Sequence, residues 1–264
     1  MALTDGIVGC WSPGLATTSF TLPDLSRRSN PSIAQNPGSG GMKSAWTWNG
    51  NSSATIFLNG NTQHFRNTKP SLVTAAGSPG NAFTVTTWFV NTGRSGAFRT
   101  IWSTGINNPG NSPVFEFGIN AQNFVYFYGR QPNFIASSIP IALNTPYFVA
   151  VGIEAGGSGT VYAGTNGAFA SIGTTSANDG QTCTDEFIGT DGTISPNDSS
   201  WFQGHIGETT SFNRLLTLSE VREIYRRGNG AIGRQLTGQM RRRVYGFVPA
   251  TGARRRRIIC GGNC

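Results

Sequence analysis

The sequence is poor in charged residues, and it is especially poor in acids and histidines. Charged side chains make up 12% of the 264 residues, with only 12 Asp and Glu and two His. So few of these groups leave little material for acid–base catalysis or for a histidine-rich metal site. The 17 Phe, 6 Trp and 6 Tyr still supply enough apolar surface for a packed core, which excludes a disordered chain.

The N-terminal segment lacks the features of a secretion signal. Residues 1–9 carry no basic cluster and no apolar run of the length that a signal peptide needs. Elsewhere, no segment approaches the roughly 18–20 apolar residues that cross a bilayer. We therefore expect a protein that is made in the cytoplasm and does not insert into a membrane.

Cysteine is also scarce, with four residues in the whole chain: Cys10, Cys183, Cys260 and Cys264. Four cysteines allow three pairings, and the sequence does not choose among them. Cys10 and Cys183 fall within or beside predicted strands, where a free cysteine is usually a small buried hydrophobic residue. Cys260 and Cys264 could close a small disulfide loop or supply half of a metal site. Because no second ligand cluster exists, we favour two reduced thiols.

Glycine, in contrast, is abundant. The 36 glycines, with many Ser, Thr and Asn, are typical of strands joined by tight turns. Aromatic and β-branched runs bounded by Gly, Asn and Pro recur at intervals of roughly 8–12 residues. This spacing predicts about 11–14 strands. The runs lie at residues 6–12, 45–48, 54–58, 83–90, 98–105, 114–119, 124–128, 147–153, 160–163, 168–172, 186–189 and 206–214.

One segment near the C-terminus has a strong helix pattern, over about residues 217–227. Thr217 is a good N-cap, and Glu220 follows three residues later, as in a capping box. Gly228 is placed to end the helix. Four apolar residues recur at helical spacing and form a stripe that we expect to cover a sheet: Leu218, Val221, Ile224 and Tyr225.

Several of these segments together resemble one family. They are the opening Gly6–Trp11, the strand at 83–90 with Trp88 near its end, and the closing strand Ile206–Arg214 followed by the helix. Over residues 5–227 this order is similar to the concanavalin A-like/laminin G-like jelly-roll family. The resemblance implies an all-β fold: an antiparallel two-sheet jelly-roll sandwich over residues 1–228, with one short C-terminal helix.

Residues 229–264 do not fit that pattern and are predicted to form an extended arginine-rich arm. Residues 1–225 hold ten basic and twelve acidic residues, whereas residues 226–264 hold ten arginines, no lysine and no acid. The arginines alternate with apolar residues, which suits an arm docked on another protein. Nucleic acid and a plain solvated tail are the alternatives. The predicted docking residues are Arg241, Arg242, Arg243, Tyr245, Phe247, Arg254, Arg255, Arg256 and Arg257.

The family that this sequence resembles includes enzymes, which cleave polysaccharides with two facing carboxylates. A Glu-x-Asp-x-x-Glu signature on one strand is absent, and Glu116 has no acidic partner one or two residues away. Since His205 and Glu208 are three residues apart on a predicted strand, we expect them on opposite faces. Glu208 occupies a position where the family's closing strand carries a structural acid. We therefore expect no enzymatic activity.

The resemblance also implies that the protein could bind a calcium ion, since many laminin G-like domains hold one ion at the sheet rim. Four acids lie in or beside Gly-, Ser- and Asn-rich loops: Asp179, Asp185, Asp191 and Asp198. Carboxylates in such loops are suitable calcium ligands. They also cap turns through their own backbone, which is the interpretation that we favour. We expect no cofactor.

A laminin G-like domain without a signal peptide, followed by an arginine-rich extension, resembles virion proteins of tailed bacteriophages. The resemblance implies a non-enzymatic structural or adhesive virion component, such as a capsid decoration, fibre or tail protein. Its partners would be other virion proteins and sister subunits in a homo-oligomer. The alternative is a carbohydrate-binding module that recognises surface glycans. The sequence leaves the ligand, the subunit number and a head or tail location open.

Overall fold

The computed structural model of the protein describes most of the chain, with gaps between the strands. The described residues are 3–13, 21–26, 32–35, 42–48, 51–60, 63–67, 82–93, 97–105, 115–128, 134–153, 158–165, 168–176, 185–191 and 200–237. These residues form sixteen strands and two helices.

The strands, in chain order, are β1 (Ile7–Trp11), β2 (Thr21–Leu22), β3 (Ser32–Gln35), β4 (Met42–Trp48), β5 (Asn51–Asn59), β6 (His64–Asn67), β7 (Phe83–Asn91), β8 (Arg99–Gly105), β9 (Phe115–Ile119), β10 (Phe124–Tyr128), β11 (Phe134–Pro140), β12 (Pro146–Ile153), β13 (Ser158–Thr165), β14 (Ala168–Ser176), β15 (Asp185–Ile188) and β16 (Gln203–Phe212). Helix α1 is Leu218–Arg227. Helix α2 spans residues 231–237.

The strands form two eight-stranded antiparallel sheets that pack into a sandwich. Sheet A has the order β14-β13-β12-β7-β16-β5-β4, and β1 also pairs with β16. Sheet B has the order β11-β10-β9-β8-β15-β6-β3-β2. The predicted fold class, an antiparallel two-sheet jelly-roll sandwich, is confirmed.

The sandwich has two apolar layers rather than one. Between the sheets, Phe89 of β7 packs with residues of sheet B such as Phe117 and Phe127. On the outer face of sheet A, Trp88 packs with helix α1. Because β7 is covered on both faces, all nine of its residues are buried. Its sequence is therefore almost continuously apolar or β-branched instead of alternating.

The capping box of α1 is confirmed. The Thr217 hydroxyl accepts the Glu220 backbone N–H at 3.3 Å, and the Glu220 carboxylate accepts the Thr217 N–H at 2.9 Å. The Arg214 guanidinium forks onto the same carboxylate at 2.8 and 3.0 Å. Gly228 ends the helix with a φ of 81°, which favours glycine.

The buried face of α1 differs from the predicted stripe at one position. Val221, Ile224 and Tyr225 are buried, and the Tyr225 ring stacks on Trp88 at 5.6 Å. Leu218 is 36% exposed, so its predicted burial is wrong. It is the first residue of the helix, where the chain has only begun to turn onto the sheet. Leu216, before the N-cap, is buried with Val221 instead.

Helix α2 corrects the prediction of a single helix and of an arm that is extended from residue 229. Residues 231–237 are helical, and Ile232 is fully buried against the outer face of sheet A. Before the helix, the Asn229 side chain accepts the Glu208 N–H at 2.7 Å and donates to the Ala54 carbonyl at 3.1 Å. These contacts fix residues 229–237 to the sandwich.

The strand count is also higher than the predicted 11–14. Four strands fall where the sequence pattern indicated loops or no element: β2, β3, β6 and β11. All four lie in sheet B, and β2 is only two residues long. Neighbouring strands supply their hydrogen bonds, so they form without a strong local pattern.

Candidate functional site

The acid that we considered as a catalytic candidate, Glu116, lies on the outer face of sheet B. Its strand neighbours Phe115 and Phe117 point into the core. The Thr100 hydroxyl donates to Glu116 at 3.2 Å and lies 3.0 Å from the Tyr126 hydroxyl. Thr100 and Tyr126 are buried. We refer to Glu116, Thr100 and Tyr126 as the Tyr126 cluster.

The electrostatics of the Tyr126 cluster favour a neutral phenol. Burial raises the pKa of Tyr126 well above its usual range, and the Glu116 carboxylate raises it further. The hydrogen bond with Thr100 acts in the opposite direction, whereas Asp191 adds to the rise. Asp191 lies in the loop after β15, 75 residues from Glu116 in the chain, so their shared effect on Tyr126 cannot be predicted from the sequence. The phenol therefore lies in the field of two carboxylates.

A buried arginine and an exposed aromatic ring flank this cluster. Arg99 is 3% exposed and donates to the Asn120 carbonyl at 3.1 Å and to the Asn123 side chain at 2.6 Å. Burial lowers the pKa of its guanidinium. Phe98 is 42% exposed and meets the Tyr126 ring edge to face at 5.2 Å. Phe98 is thus the accessible part of this face.

Three other acids in the described residues are engaged in structural bonds. Glu186 accepts the Trp102 indole N–H at 2.7 Å between the sheets. Asp185, one of the four calcium candidates, forms an ion pair with Arg66 at 2.7 Å. Asp191, another candidate, accepts the Ser200 hydroxyl at 2.9 Å. Both acids thus have protein partners.

Of the predicted calcium and cysteine residues, Asp185, Asp191 and Cys10 lie among the described residues. Asp179 and Asp198 lie outside the described residues, as do Cys183, Cys260 and Cys264. Within the described ranges, no group of three or more His, Cys, Asp or Glu is placed to hold a metal ion. Cys10 is a buried free thiol, and burial raises its pKa well above the usual range.

Glu208 connects the closing strand to helix α2. Its two carboxylate oxygens accept the backbone N–H groups of Ile232 at 3.0 Å and Gly233 at 2.6 Å. These are free donors of the first helical turn, so Glu208 acts as a cap supplied by a strand. Burial raises the pKa of Glu208 to about 7, against the opposite effect of these two hydrogen bonds.

This carboxyl group makes stability depend on pH. Because its pKa is about 7 in the folded protein and 4.5 otherwise, its contribution is present below pH 4.5 and is lost as the pH rises through 7. The shift corresponds to about 3 kcal/mol. We expect Glu208→Gln to flatten the pH dependence between pH 5 and 8 in urea unfolding. At pH 5 it should also destabilise the protein by roughly 1–3 kcal/mol, because an amide N–H₂ then faces a backbone donor.

Glu223→Gln is the matched control for this experiment. Hydrogen bonds from Arg226 and Arg227 lower the pKa of the exposed Glu223 to about 2, so it does not titrate between pH 5 and 8. The control should keep the pH dependence of the wild type. If Glu208→Gln kept it as well, Glu208 would not be its source.

The predicted opposite orientation of His205 and Glu208 is wrong. Between Ile206 and Thr209, β16 gains one residue relative to β7, which is a β-bulge. The extra residue shifts the alternation, so His205 and Glu208 both lie on the outer face of sheet A. Their bonds are separate, since His205 Nδ1 lies 2.9 Å from the Ser44 hydroxyl and 3.3 Å from Thr55.

The Ser44–His205 pair has the spacing of a nucleophile and its base. In the described part of the chain, no carboxylate orients the imidazole through its second nitrogen, His205 Nε2. The triad arrangement of hydrolases requires that third group. Ser44 and His205 therefore form a polar contact of the sheet rather than a catalytic triad.

The predicted docking residues, Arg241–Arg243, Tyr245, Phe247 and Arg254–Arg257, lie outside the described residues. The basic region begins before them, on the two helices. Arg222, Arg226, Arg227 and Arg234 are exposed on α1 and α2. Of these, Arg226 and Arg227 share the Glu223 carboxylate. No helix among the described residues has the length and apolar content to span a membrane.

Two antiparallel sheets with helices packed on one outer face define a lectin-like jelly-roll sandwich. The chain belongs to the concanavalin A-like lectin/glucanases superfamily, because the Laminin G 3 family profile of that superfamily matches residues 66–222, more than half of its length. A comparison with curated protein sequences found no match.

Solved structures share this sandwich at low sequence identity. The binding domain of paraclostridial mosquitocidal protein 1 matches 84% of this chain with 15% identity and a TM-score of 0.59. The binding domain of botulinum neurotoxin DC, in complex with rat synaptotagmin II, matches 84% with 14% identity and a TM-score of 0.56. Trypanosoma rangeli sialidase in complex with sialic acid matches 82% with 15% identity and a TM-score of 0.57.

The chain spans only part of these proteins. It covers 52% of the mosquitocidal chain, 51% of the neurotoxin chain and 32% of the sialidase chain. Identity at this level shows the common fold alone.

Proposed function

We propose that this protein is a non-enzymatic binding domain displayed on a virion as a capsid decoration, fibre or tail protein. The observation that carries this proposal is the uneven distribution of charge along the chain, with a nearly neutral sandwich and a cationic C-terminal region. Within the described residues, the buried acids Asp185, Glu186 and Glu208 are engaged in structural bonds, whereas the cationic region starts on two helices that are fixed to the sandwich. The sandwich then provides the displayed surface, and the basic region provides the attachment.

The binding role is supported by the similar structures, two of which are binding domains of toxins. In this proposal the protein binds a ligand on the outside of the particle and does not convert it. A carbohydrate-binding module is the second candidate, and the two roles are compatible in one protein. An aromatic surface on sheet A, formed by Trp46, Phe57 and His205, favours a glycan ligand.

The attachment role is supported by the chemistry of the C-terminal region. Residues 226–264 combine ten arginines with apolar side chains, and guanidinium groups fork onto carboxylates of a protein partner. We propose that residues 238–264 contact other virion proteins and sister subunits of a homo-oligomer. Synthesis in the host cytoplasm and release with the particle are part of the same proposal.

The absence of catalysis is tested with a panel of β-glucans, agars and bacterial capsules. We expect the purified full-length protein to release no reducing ends, because the Glu116 carboxylate is bonded to Thr100 and the adjacent Tyr126 is buried. Binding to one of these polysaccharides, measured by retention on the insoluble material, is compatible with the proposal. Turnover that disappears in Glu116→Gln would show that the protein is an enzyme.

A further inference from the structure

One part of the outer face of sheet A carries aromatic rings at its β4 edge. Trp46 on β4 and Phe57 on β5 flank His205 on β16, with ring centroids 5.0 and 5.1 Å from the imidazole. All three side chains are half-buried. Helix α1 packs on Trp88 of β7 and Phe148 of β12, which lie farther along the sheet. We refer to Trp46, Phe57 and His205 as the Trp46 platform.

Two hydroxyls hold the imidazole of the platform in one orientation. The Ser44 and Thr55 hydroxyls lie 2.9 and 3.3 Å from His205 Nδ1 and 2.8 Å from each other. Burial lowers the pKa of His205, which favours the neutral ring. His205 Nδ1 accepts a hydroxyl proton in one tautomer of the neutral ring and donates its own in the other, so Nε2 is a donor in the first and an acceptor in the second.

The platform presents two polar ring nitrogens to solvent. In the described part of the chain, neither His205 Nε2 nor the Trp46 indole N–H has a hydrogen-bond partner, and neither is sealed from water. The indole N–H donates to hydroxyl oxygens, and the free imidazole nitrogen pairs with a hydroxyl group in either tautomer, because a hydroxyl both donates and accepts. An aromatic surface with a few convergent polar groups is typical of small-molecule sites.

A groove with several polar side chains lies beside this platform. In the β4–β5 register Trp46 lies opposite Ser53, so their side chains share a face. Ser53 lines a groove of about 240 Å³ with Ser12, Asn229, Arg234 and Thr237. This volume is below the roughly 300–1,000 Å³ of a typical ligand pocket. The groove therefore suits one group of a larger ligand.

Arg234 gives the groove its charge. One guanidinium nitrogen, Nη1, donates to the Asn229 carbonyl at 3.2 Å. The residue is exposed, and Nε and Nη2 have no partner within the described ranges. A guanidinium with two free donors is suited to a carboxylate, which it binds as a fork.

We infer that the Trp46 platform and the Arg234 groove together bind an oligosaccharide that carries a carboxylate. One sugar ring packs its C–H face on the aromatic rings, and its hydroxyl groups hydrogen-bond with the Trp46 indole N–H and with His205 Nε2. The carboxylate of a neighbouring sugar pairs with Arg234. This inference rests on the proposed binding function and adds the site and the chemical class of the ligand.

The experiment is an NMR titration of the ¹⁵N-labelled full-length protein with matched acidic and neutral saccharides. The probes are trigalacturonate against maltotriose and sialyllactose against lactose. The six Trp give separate indole N–H signals, and Trp46→Phe assigns that of Trp46 while it keeps a ring in place. We expect an acidic member to shift the Trp46 signal and to bind at least tenfold more tightly than its neutral partner.

Variants separate the two parts of the site. Arg234→Gln should abolish the preference for the acidic member, and Trp46→Ala should weaken binding more than tenfold. Phe98→Ala is the matched control, since Phe98 is an exposed aromatic residue on the other sheet. Thermal unfolding of each variant identifies any loss that comes from misfolding. Trp46→Phe and Arg234→Gln alter no fully buried group, so they remain informative if Trp46→Ala misfolds.

The remaining outcomes overturn the inference in distinguishable ways. If a saccharide binds but the Trp46 signal stays in place, or if Phe98→Ala loses binding, the site lies elsewhere and the binding function stands. If Arg234→Gln keeps the acidic preference, the carboxylate is recognised by another group. If the wild type binds none of the four probes and no intact host cell, both the inferred site and the proposed binding function are wrong.

Discussion

A chain that ends at Gly228 is expected to be strongly destabilised, whereas a chain that ends at Thr237 should keep the stability of the sandwich. The shorter chain loses Ile232, which is fully buried on sheet A. It also leaves Glu208 without its two backbone donors. Removing a buried Ile costs roughly 2–5 kcal/mol, and an uncompensated buried acid adds roughly 1–3 kcal/mol. These losses are a large part of the roughly 5–15 kcal/mol of a typical domain.

Thermal unfolding of the two truncated chains measures this difference. In a domain of this size 1 kcal/mol shifts Tm by about 2–4 °C, so the chain ending at Gly228 should lose about 10 °C or more. Ile232→Ala in the full-length chain is the point-mutant counterpart and should lose about half as much. Equal Tm values for the two truncated chains would show that α2 does not stabilise the sandwich.

The two apolar residues at the start of α1 should respond very differently to the same substitution. Val221→Asp places a charge in the cluster on sheet A, where Val221 is 1% exposed. It should cost about 4 kcal/mol or more, since the apolar contact is lost and a carboxylate is buried. Leu218→Asp changes a residue that is 36% exposed. An acid in the first helical turn is favourable by about 0.3–1 kcal/mol, which offsets the lost apolar contact.

Urea unfolding of both variants provides the comparison, with the wild type as reference. The expected result is a much lower midpoint for Val221→Asp and a midpoint near that of the wild type for Leu218→Asp. A large loss in Leu218→Asp would mean that the apolar stripe begins one turn earlier than the structure places it.

The elements that could be predicted from the sequence are those with local signals. The capping box of Thr217 and Glu220 depends on residues three apart, and the structure contains both of its hydrogen bonds. The runs at 83–90 and 147–153 are apolar enough to identify strands of a core, and they pair as β7 and β12. The jelly-roll class follows from such segments and their order.

The elements that could not be predicted depend on distant residues. Helix α2 is only seven residues long, with Ile232 and Leu236 as its apolar face, and its first turn is held by Glu208 of β16. The short strands of sheet B form because neighbouring strands offer hydrogen-bond partners. Leu218 has the correct helical spacing, but its exposure depends on the angle at which α1 approaches the sheet.

The candidate site shows the same limit. Trp46 and His205 belong to strands far apart in the chain, and only the sheet brings them together. The bulge in β16 places His205 and Glu208 on the same face of the sheet instead of on opposite faces. One extra residue in a strand cannot be detected from the alternation of side chains in the sequence. The sequence did identify Glu116 and Glu208 as acids of interest, and the structure places both in hydrogen bonds within the protein.

The most direct test of the central claim is the incorporation of two purified chains into native particles, the full-length chain and the chain ending at Thr237. We expect both to fold, and only the full-length chain to join the assembly, because the proposed function assigns the contacts with other virion proteins to residues 238–264. If the arginines instead bind nucleic acid, the full-length chain should bind duplex DNA tightly, with an affinity that falls steeply with salt. Normal incorporation of the shorter chain would contradict the proposed attachment.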